Sequence, residues 1–226
     1  MSSEFFDDVV EEMVVRRKQL EAYIRKHPDF KTSFAPVSLQ AGAPEIVIRM
    51  ADASVKTGLG PMASVAGILA QYGVDRALSL GASESIVENG GDMVVAVSSP
   101  VSIGIHTIDK KFSDKLAFRI ESSKRLAICS SSSVMGHSVS LGNCGLATAV
   151  SEDAALADSA ATLLCNCISS VKDMENALEK VGRITGILGV MAIHDGRMGM
   201  FGDLPQLIKN EDSDTRLKVT RDRRSN

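Results

Sequence analysis

The sequence predicts an α+β fold, a mixed or antiparallel sheet with helices packed on it, as one domain over residues 1–210. Three observations carry this. Apolar residues recur at spacings of three and four in several stretches, and two β-branched runs flank an Asn-Gly turn. Helices and strands also interleave without the regular βαβ rhythm of a parallel sheet.

The elements follow in order. Ser2 or Ser3 is placed to cap a helix over residues 3–27, whose first turn carries Glu4, Asp7 and Asp8 at the positive dipole end. Phe6, Val9, Val10, Met13, Val14, Leu20, Tyr23 and Ile24 give it an apolar face. Residues 28–45 read as a connector punctuated by Pro28, Pro36, Gly42 and Pro44. Ile46-Val47-Ile48 either forms a short strand or leads into a helix. From Pro61 to about Leu80 the spacing is helical, with Pro61 in the first turn and Gly81 as the stop.

Ser85-Ile86-Val87 and the run Met93 to Val97 flank Asn89-Gly90-Gly91-Asp92, which predicts a hairpin. Val101 to Ile108 alternates as a strand. Leu126 to Cys129 reads as a buried strand ending in the serines 130–133, and Ala147 to Val150 as another. Helices are expected over Asp153 to Ser170 and Lys172 to Val181, then a last apolar strand from Gly186 to His194. Residues 211–226 are charged, nearly free of large apolar groups, and read as a flexible tail.

Composition excludes several classes. The chain has 226 residues, 44% of them hydrophobic, which is too apolar for a disordered tail protein and long enough to bury a core. With 25 Lys plus Arg against 28 Asp plus Glu it lacks a basic footprint for nucleic acid. Its 4% aromatic content offers no stacking platform for single strands. The stretch from Thr57 to Val74 is apolar but interrupted by glycines and Pro61, so no membrane span is expected. The acidic N-terminus has no secretory pattern and the four cysteines are scattered, so a reduced, cytoplasmic location is expected.

Three constellations can carry chemistry. Gly90 and Gly91 expose backbone amides able to cradle a phosphate or approach a flat ring, with Asn89 and Asp92 supplying side-chain hydrogen bonds; the alternative is a bare hairpin turn. Ser130, Ser131, Ser132 and Gly136 form a small polar loop at a strand end, able to hold a diphosphate, with His137 able to move a proton near neutrality; the alternative is a solvated loop. Asp158 and Thr162, at i and i+4, place a carboxylate and a hydroxyl on one helix face, a hard-oxygen pair suited to Mg²⁺; the alternative is local capping or pairing. Cys165 and Cys167 lie on nearly opposite sides of their helix and do not jointly ligate a metal. His106 and His194 read as core or edge residues.

The order of these segments is more telling than any one of them. Gly60-Pro61-Met62-Ala63-Ser64-Val65-Ala66-Gly67, then Val87 to Asp92, Cys129 to Ser140 and Leu156 to Thr162, resembles an uncharacterised bacterial and archaeal family of ApbE-like proteins. ApbE itself is the FAD:protein FMN transferase, which cleaves FAD with Mg²⁺ and joins FMN to a threonine of a target protein. The resemblance implies an ApbE-like fold and FAD or FMN with Mg²⁺ as cofactors. It implies a flavin segment at Asn89, Gly90, Gly91 and Asp92, a metal site at Asp158 and Thr162, and catalytic roles for His137 and Asp158.

After His137 the sequence runs Ser138-Val139-Ser140-Leu141-Gly142, without the Ile-Ile-Asp-Pro that follows the transferase histidine. The expected function is therefore nucleotide binding with transferase- or pyrophosphatase-type chemistry. The alternative is an accessory, non-enzymatic protein in sulfide use and homocysteine formation, with sulfur-assimilation enzymes as partners. Small-residue helices and apolar strands also suit a homodimer.

Overall fold

The computed structural model describes residues 5–133 and 144–211. Helix α1 (Phe6–Lys26) starts after Phe5, which offers no capping side chain; Asp7 and Asp8 occupy its first turn. Ser2 and Ser3, the expected caps, lie outside the described residues. A short α2 (Asp29–Thr32) follows, then α3 (Glu45–Thr57), so the Ile46-Val47-Ile48 run is helical. Its burial decides this: Ile46, Val47, Met50, Ala51 and Ser54 face inward at helical spacing, with Gly58 closing the helix in the left-handed region.

The predicted helix from Pro61 divides in two. Pro61–Ser64 is a 3₁₀ turn, and α4 (Val65–Ser79) begins only after it. Thereafter β1 (Ser85–Asn89), β2 (Asp92–Val97), β5 (Ser123–Ser131), β6 (Leu146–Ser151), β7 (Ile187–His194) and β8 (Arg197–Gly202) build one antiparallel sheet in that spatial order. A second sheet holds β3 (Val101–Gly104), β4 (Leu116–Ile120) and β9 (Gln206–Lys209). The strand expected over Val101 to Ile108 stops at Gly104. β4, β8 and β9 are strands that apolar alternation alone does not announce. Helices α5 (Ala154–Cys167) and α6 (Met174–Gly182) lie between β6 and β7 in the chain.

The large sheet has two faces and therefore two cores. Val94, Ala96, Ala127, Cys129, Ala147 and Ala149 face α4 and α5. Val95, Val97, Ile128, Val150, Met191 and Ile193 face the small sheet and its Phe118 and Ile120. A third cluster joins α1, α2, α3 and α4 through Leu20, Phe30, Ile46, Met50 and Ile68. Each such large side chain taken out of water contributes about 1.5–3 kcal/mol.

One consequence positions the site. In an antiparallel sheet of this order, the β1–β2 turn, the end of β5, the start of β6 and the β7–β8 turn all fall at the same end. The serine segment and the Asn-Gly-Gly-Asp turn are therefore neighbours in space.

Candidate functional site

Asn89 pairs with Asp92, so Gly90 and Gly91 are the two central residues of a tight hairpin turn. Their φ values of 69° and 102° demand glycine, as a primed turn does. The Gly91 amide donates to Glu88 Oε1 at 2.8 Å, so a carboxylate already occupies the place a phosphate would take there. Asn89 Nδ2 donates to the Ala66 carbonyl at 3.0 Å, which ties the turn to the first turn of α4.

Asp92 leaves that turn on the helix-facing side of the sheet and is 5% exposed. The Ser130 amide donates to its Oδ1 at 3.2 Å, and the neighbouring Cys129 thiol donates to the Ala154 carbonyl at 3.8 Å. Burial, reinforced by the charge of Asp158, pushes the Asp92 carboxyl well above the usual carboxylate range. Burial likewise drives the Cys129 thiol far up, with Asp92 the next cause, so this sulfur is a proton donor and not a nucleophile.

Asp158 comes from α5. Its Oδ2 accepts the Gly67 amide at 2.8 Å, and the preceding Ala66 amide adds a favourable dipole beside the same carboxyl. These are the second and third amides of α4, the two that an N-cap side chain ordinarily satisfies, and Ser64 at that position makes no such bond. Asp158 thus caps α4 from another helix. Burial nevertheless pushes its carboxyl up to about 7, the two amides pulling the other way. The close approach depends on Gly67, where a Cβ would fall 2.5 Å from the Ala154 carbonyl and 2.8 Å from Asp158 Cβ.

The serines divide between the two faces. Ser130 Oγ turns away from the helices and bonds Thr148 Oγ1 at 2.9 Å. Ser132 Oγ donates to the Gly145 carbonyl at 2.9 Å and closes the neck of the β5–β6 connection. Ser131 shares the helix-facing side with Cys129 and Asp92; it is buried, and its Oγ has no hydrogen-bond partner among the described residues. Thr162, also buried, lies one turn beyond Asp158 on the same face of α5. Gly136 and His137 lie outside the described residues.

The fold thus brings together Asn89, Asp92 and Asp158, with Ser131 and Thr162 on the facing surfaces of β5 and α5. Ser130 contributes its amide only. Sequence reasoning missed the Ala66 and Gly67 amides and the Cys129 thiol, and Gln71, whose Oε1 accepts the Ala154 amide at 2.8 Å. Among the described residues, no three His, Cys, Asp or Glu side chains gather to hold a metal ion. The fit of a hard cation rests instead on oxygen: two repelling carboxyls, a buried hydroxyl without a partner, and Thr162. That donor set suits Mg²⁺ completed by phosphate oxygens and water.

A family model described as AbpE bacteria matches residues 3–197. The chain belongs to this family. Its relatives include the UPF0280 protein of Archaeoglobus fulgidus, 37% identical over 210 residues, covering 91% of this chain and 87% of the relative. The UPF0280 protein of Methanocaldococcus jannaschii is 37% identical over 213 residues, covering 92% and 86%. Among solved structures, the AbpE family member is similar to the flavinyl transferase ApbE of Pseudomonas stutzeri in its apo form. That pair has 16% identity and a TM-score of 0.46 over 63% of this chain and 48% of that one. For the ApbE protein of Thermotoga maritima the identity is 17% and the TM-score 0.48, over 68% and 52%. The chain spans about half the length of these solved proteins. No helix among the described residues is long and apolar enough to cross a membrane.

Proposed function

We propose that this AbpE family member binds a flavin nucleotide, FAD or FMN, with Mg²⁺ at the end of the large sheet, and supports FMN-transfer or FAD-pyrophosphatase chemistry there. The observation that carries the reading is the meeting of Asp92 and Asp158 from different elements, both held above the usual carboxylate range, on the face that also bears the unpartnered Ser131 hydroxyl. Two carboxyls that burial raises above their usual range are costly to keep in a fold without a cation to offset them. Asp158 and Thr162, with Asp92 and Ser131 opposite, would hold the ion, which when bound supplies positive charge to a diphosphate.

The chain's own groups do the remainder. Asn89 fixes the hairpin against α4, and the Gly67 amide orients the Asp158 carboxyl. In the reaction the bond between the two phosphorus centres' bridging oxygen and the FMN phosphorus breaks. AMP departs, and a hydroxyl of a protein or of water takes its place on FMN.

Titration of the purified protein with FAD, with and without Mg²⁺, tests this through flavin fluorescence and chromatography of released AMP. Expected are saturable, Mg²⁺-dependent binding and AMP release, both lost in Asp158→Ala. Absence of flavin binding, with Asp158→Ala matching the unaltered protein in metal affinity, overturns it.

A further inference from the structure

Helix α1 carries two apolar stripes, and the fold covers one of them. Val9 and Met13 meet Val87 of β1 over Gly73 of α4, and Leu20 and Tyr23 are buried further along. Phe6, Val10 and Val14 form the other stripe, each four residues after the last, so they run along a single side of the helix. They are 64%, 42% and 42% exposed. The outward face of a helix is ordinarily polar, and contiguous apolar surface left in water marks a place where another surface docks.

The charges of α1 are segregated along the same helix. Asp7, Asp8, Glu11 and Glu12 precede Met13 with no base among them. Arg16, Arg17, Lys18, Arg25 and Lys26 follow it, with Glu21 the one acid. The helix dipole accounts for an Asp in the first turn and a Lys in the last, and its influence ends there. Glu11 and Lys18 lie deeper. Within the chain Asp8 pairs with Arg76, Glu12 with Arg16 and Arg17 with Glu21. Asp7, Glu11 and Lys18 are exposed and form no ion pair among the described residues.

We propose that the outer face of α1 is the contact between two copies of this chain, packed as an antiparallel helix pair about a two-fold axis. In a two-fold contact a surface meets itself, so it must complement its own pattern. The outer face of α1 does so in one orientation. An antiparallel pair centred between Val10 and Val14 sets Val10 level with Val14 of the second copy. It sets Asp7 level with Arg17 of the second copy, and Phe6 level with Lys18, whose aliphatic stem covers the ring. A parallel pair sets each acid against its own duplicate, which repels. One helix from each copy is a small interface beside the roughly 1,200–2,000 Å² of stable complexes, so a dissociation constant in the micromolar range is expected.

Sedimentation velocity of the full chain over a micromolar concentration series tests this. The unaltered protein is expected to pass from monomer to dimer across the series. Three double variants at exposed positions accompany it, each checked for folding by circular dichroism and thermal melting. Phe6→Ser with Val10→Ser removes the apolar stripe and keeps the charges. Asp7→Lys with Glu11→Lys, and Arg17→Glu with Lys18→Glu, set like charges against each other. Each is expected to weaken self-association about tenfold. A mixture of the two charge variants is expected to recover a dimer as tight as that of the unaltered protein, because a basic face then meets an acidic one. A protein that stays monomeric, or a dimer unchanged in the serine variant or in the charge variants, would overturn the proposal. So would charge variants that fold, weaken and fail to recover on mixing.

Discussion

Asp158 on α5 accepts the Gly67 amide of α4 at 2.8 Å, and the exchange is reciprocal, since Gln71 of α4 accepts the Ala154 amide of α5 at the same distance. Each helix thus caps the other. The carboxyl assigned to a cation therefore has a structural duty as well, and its substitutions must separate the two.

Asp158→Asn keeps an acceptor for the α4 amides and removes the charge; Asp158→Ala removes both. The alanine variant is expected to lose about 1–2 kcal/mol, the usual penalty for deleting a cap, which lowers the melting temperature by roughly 2–8 °C at this chain length. The asparagine variant is expected to melt at or above the unaltered protein when Mg²⁺ is absent. Both variants lose Mg²⁺-dependent FAD binding. Thermal unfolding with and without Mg²⁺ distinguishes a cap from a ligand.

The pH dependence of stability in EDTA has a definite sign. Asp158 holds its proton up to about 7 in the fold, and Asp92 is shifted the same way, whereas both ionise near 4 when unfolded. The folded state therefore binds more protons across that window. Stability is full below about pH 4 and falls as pH rises through 7. Urea unfolding at a series of pH values is expected to show this decline, flattened in Asp158→Asn. A stability that rises between pH 4 and 7 and is unaffected by the substitution would contradict the shifts.

Gly67→Ala tests the helix contact itself. The added methyl meets backbone at 2.5 Å, and neither the Ala154 carbonyl nor Asp158 Cβ can swing aside as a flexible side-chain tip would. Overpacking of this kind costs about 1–3 kcal/mol. Because α4 and α5 must separate, Mg²⁺ affinity is expected to fall along with the melting temperature.

The hairpin at Asn89-Gly90-Gly91-Asp92 was legible because its information is local: two glycines at positive φ between β-branched runs. The start of α4 was not. Pro61 suits a first helical turn and the apolar spacing runs through it, so nothing local separates the 3₁₀ turn from the helix proper. That shift hid the Ala66 and Gly67 amides, which are free for Asp158 only because α4 begins at Val65. β4 and β9 escaped notice because they are short and neither alternates: β4 reads Leu-Ala-Phe-Arg-Ile, and β9 holds Leu207-Ile208 between Gln206 and Lys209. The pairing of Asp92 with Asp158 is a long-range contact that no spacing rule expresses. The chemistry of each residue could be read singly, and their meeting required the fold.

Ser131 separates a cation site from a packing accident most cleanly. A buried hydroxyl without a partner destabilises the fold by about 1–3 kcal/mol. If it belongs to a donor set, that penalty is relieved when an ion binds. Ser131→Ala is therefore expected to leave the melting temperature in EDTA unchanged or raised, and to shrink the further rise that Mg²⁺ produces in the unaltered protein. The two effects have opposite signs, so loss of folding cannot imitate the result. Melting curves across a Mg²⁺ titration measure both at once. A variant whose Mg²⁺ response equals that of the unaltered protein would remove Ser131 from the site and leave Asp92, Asp158 and Thr162 to account for it.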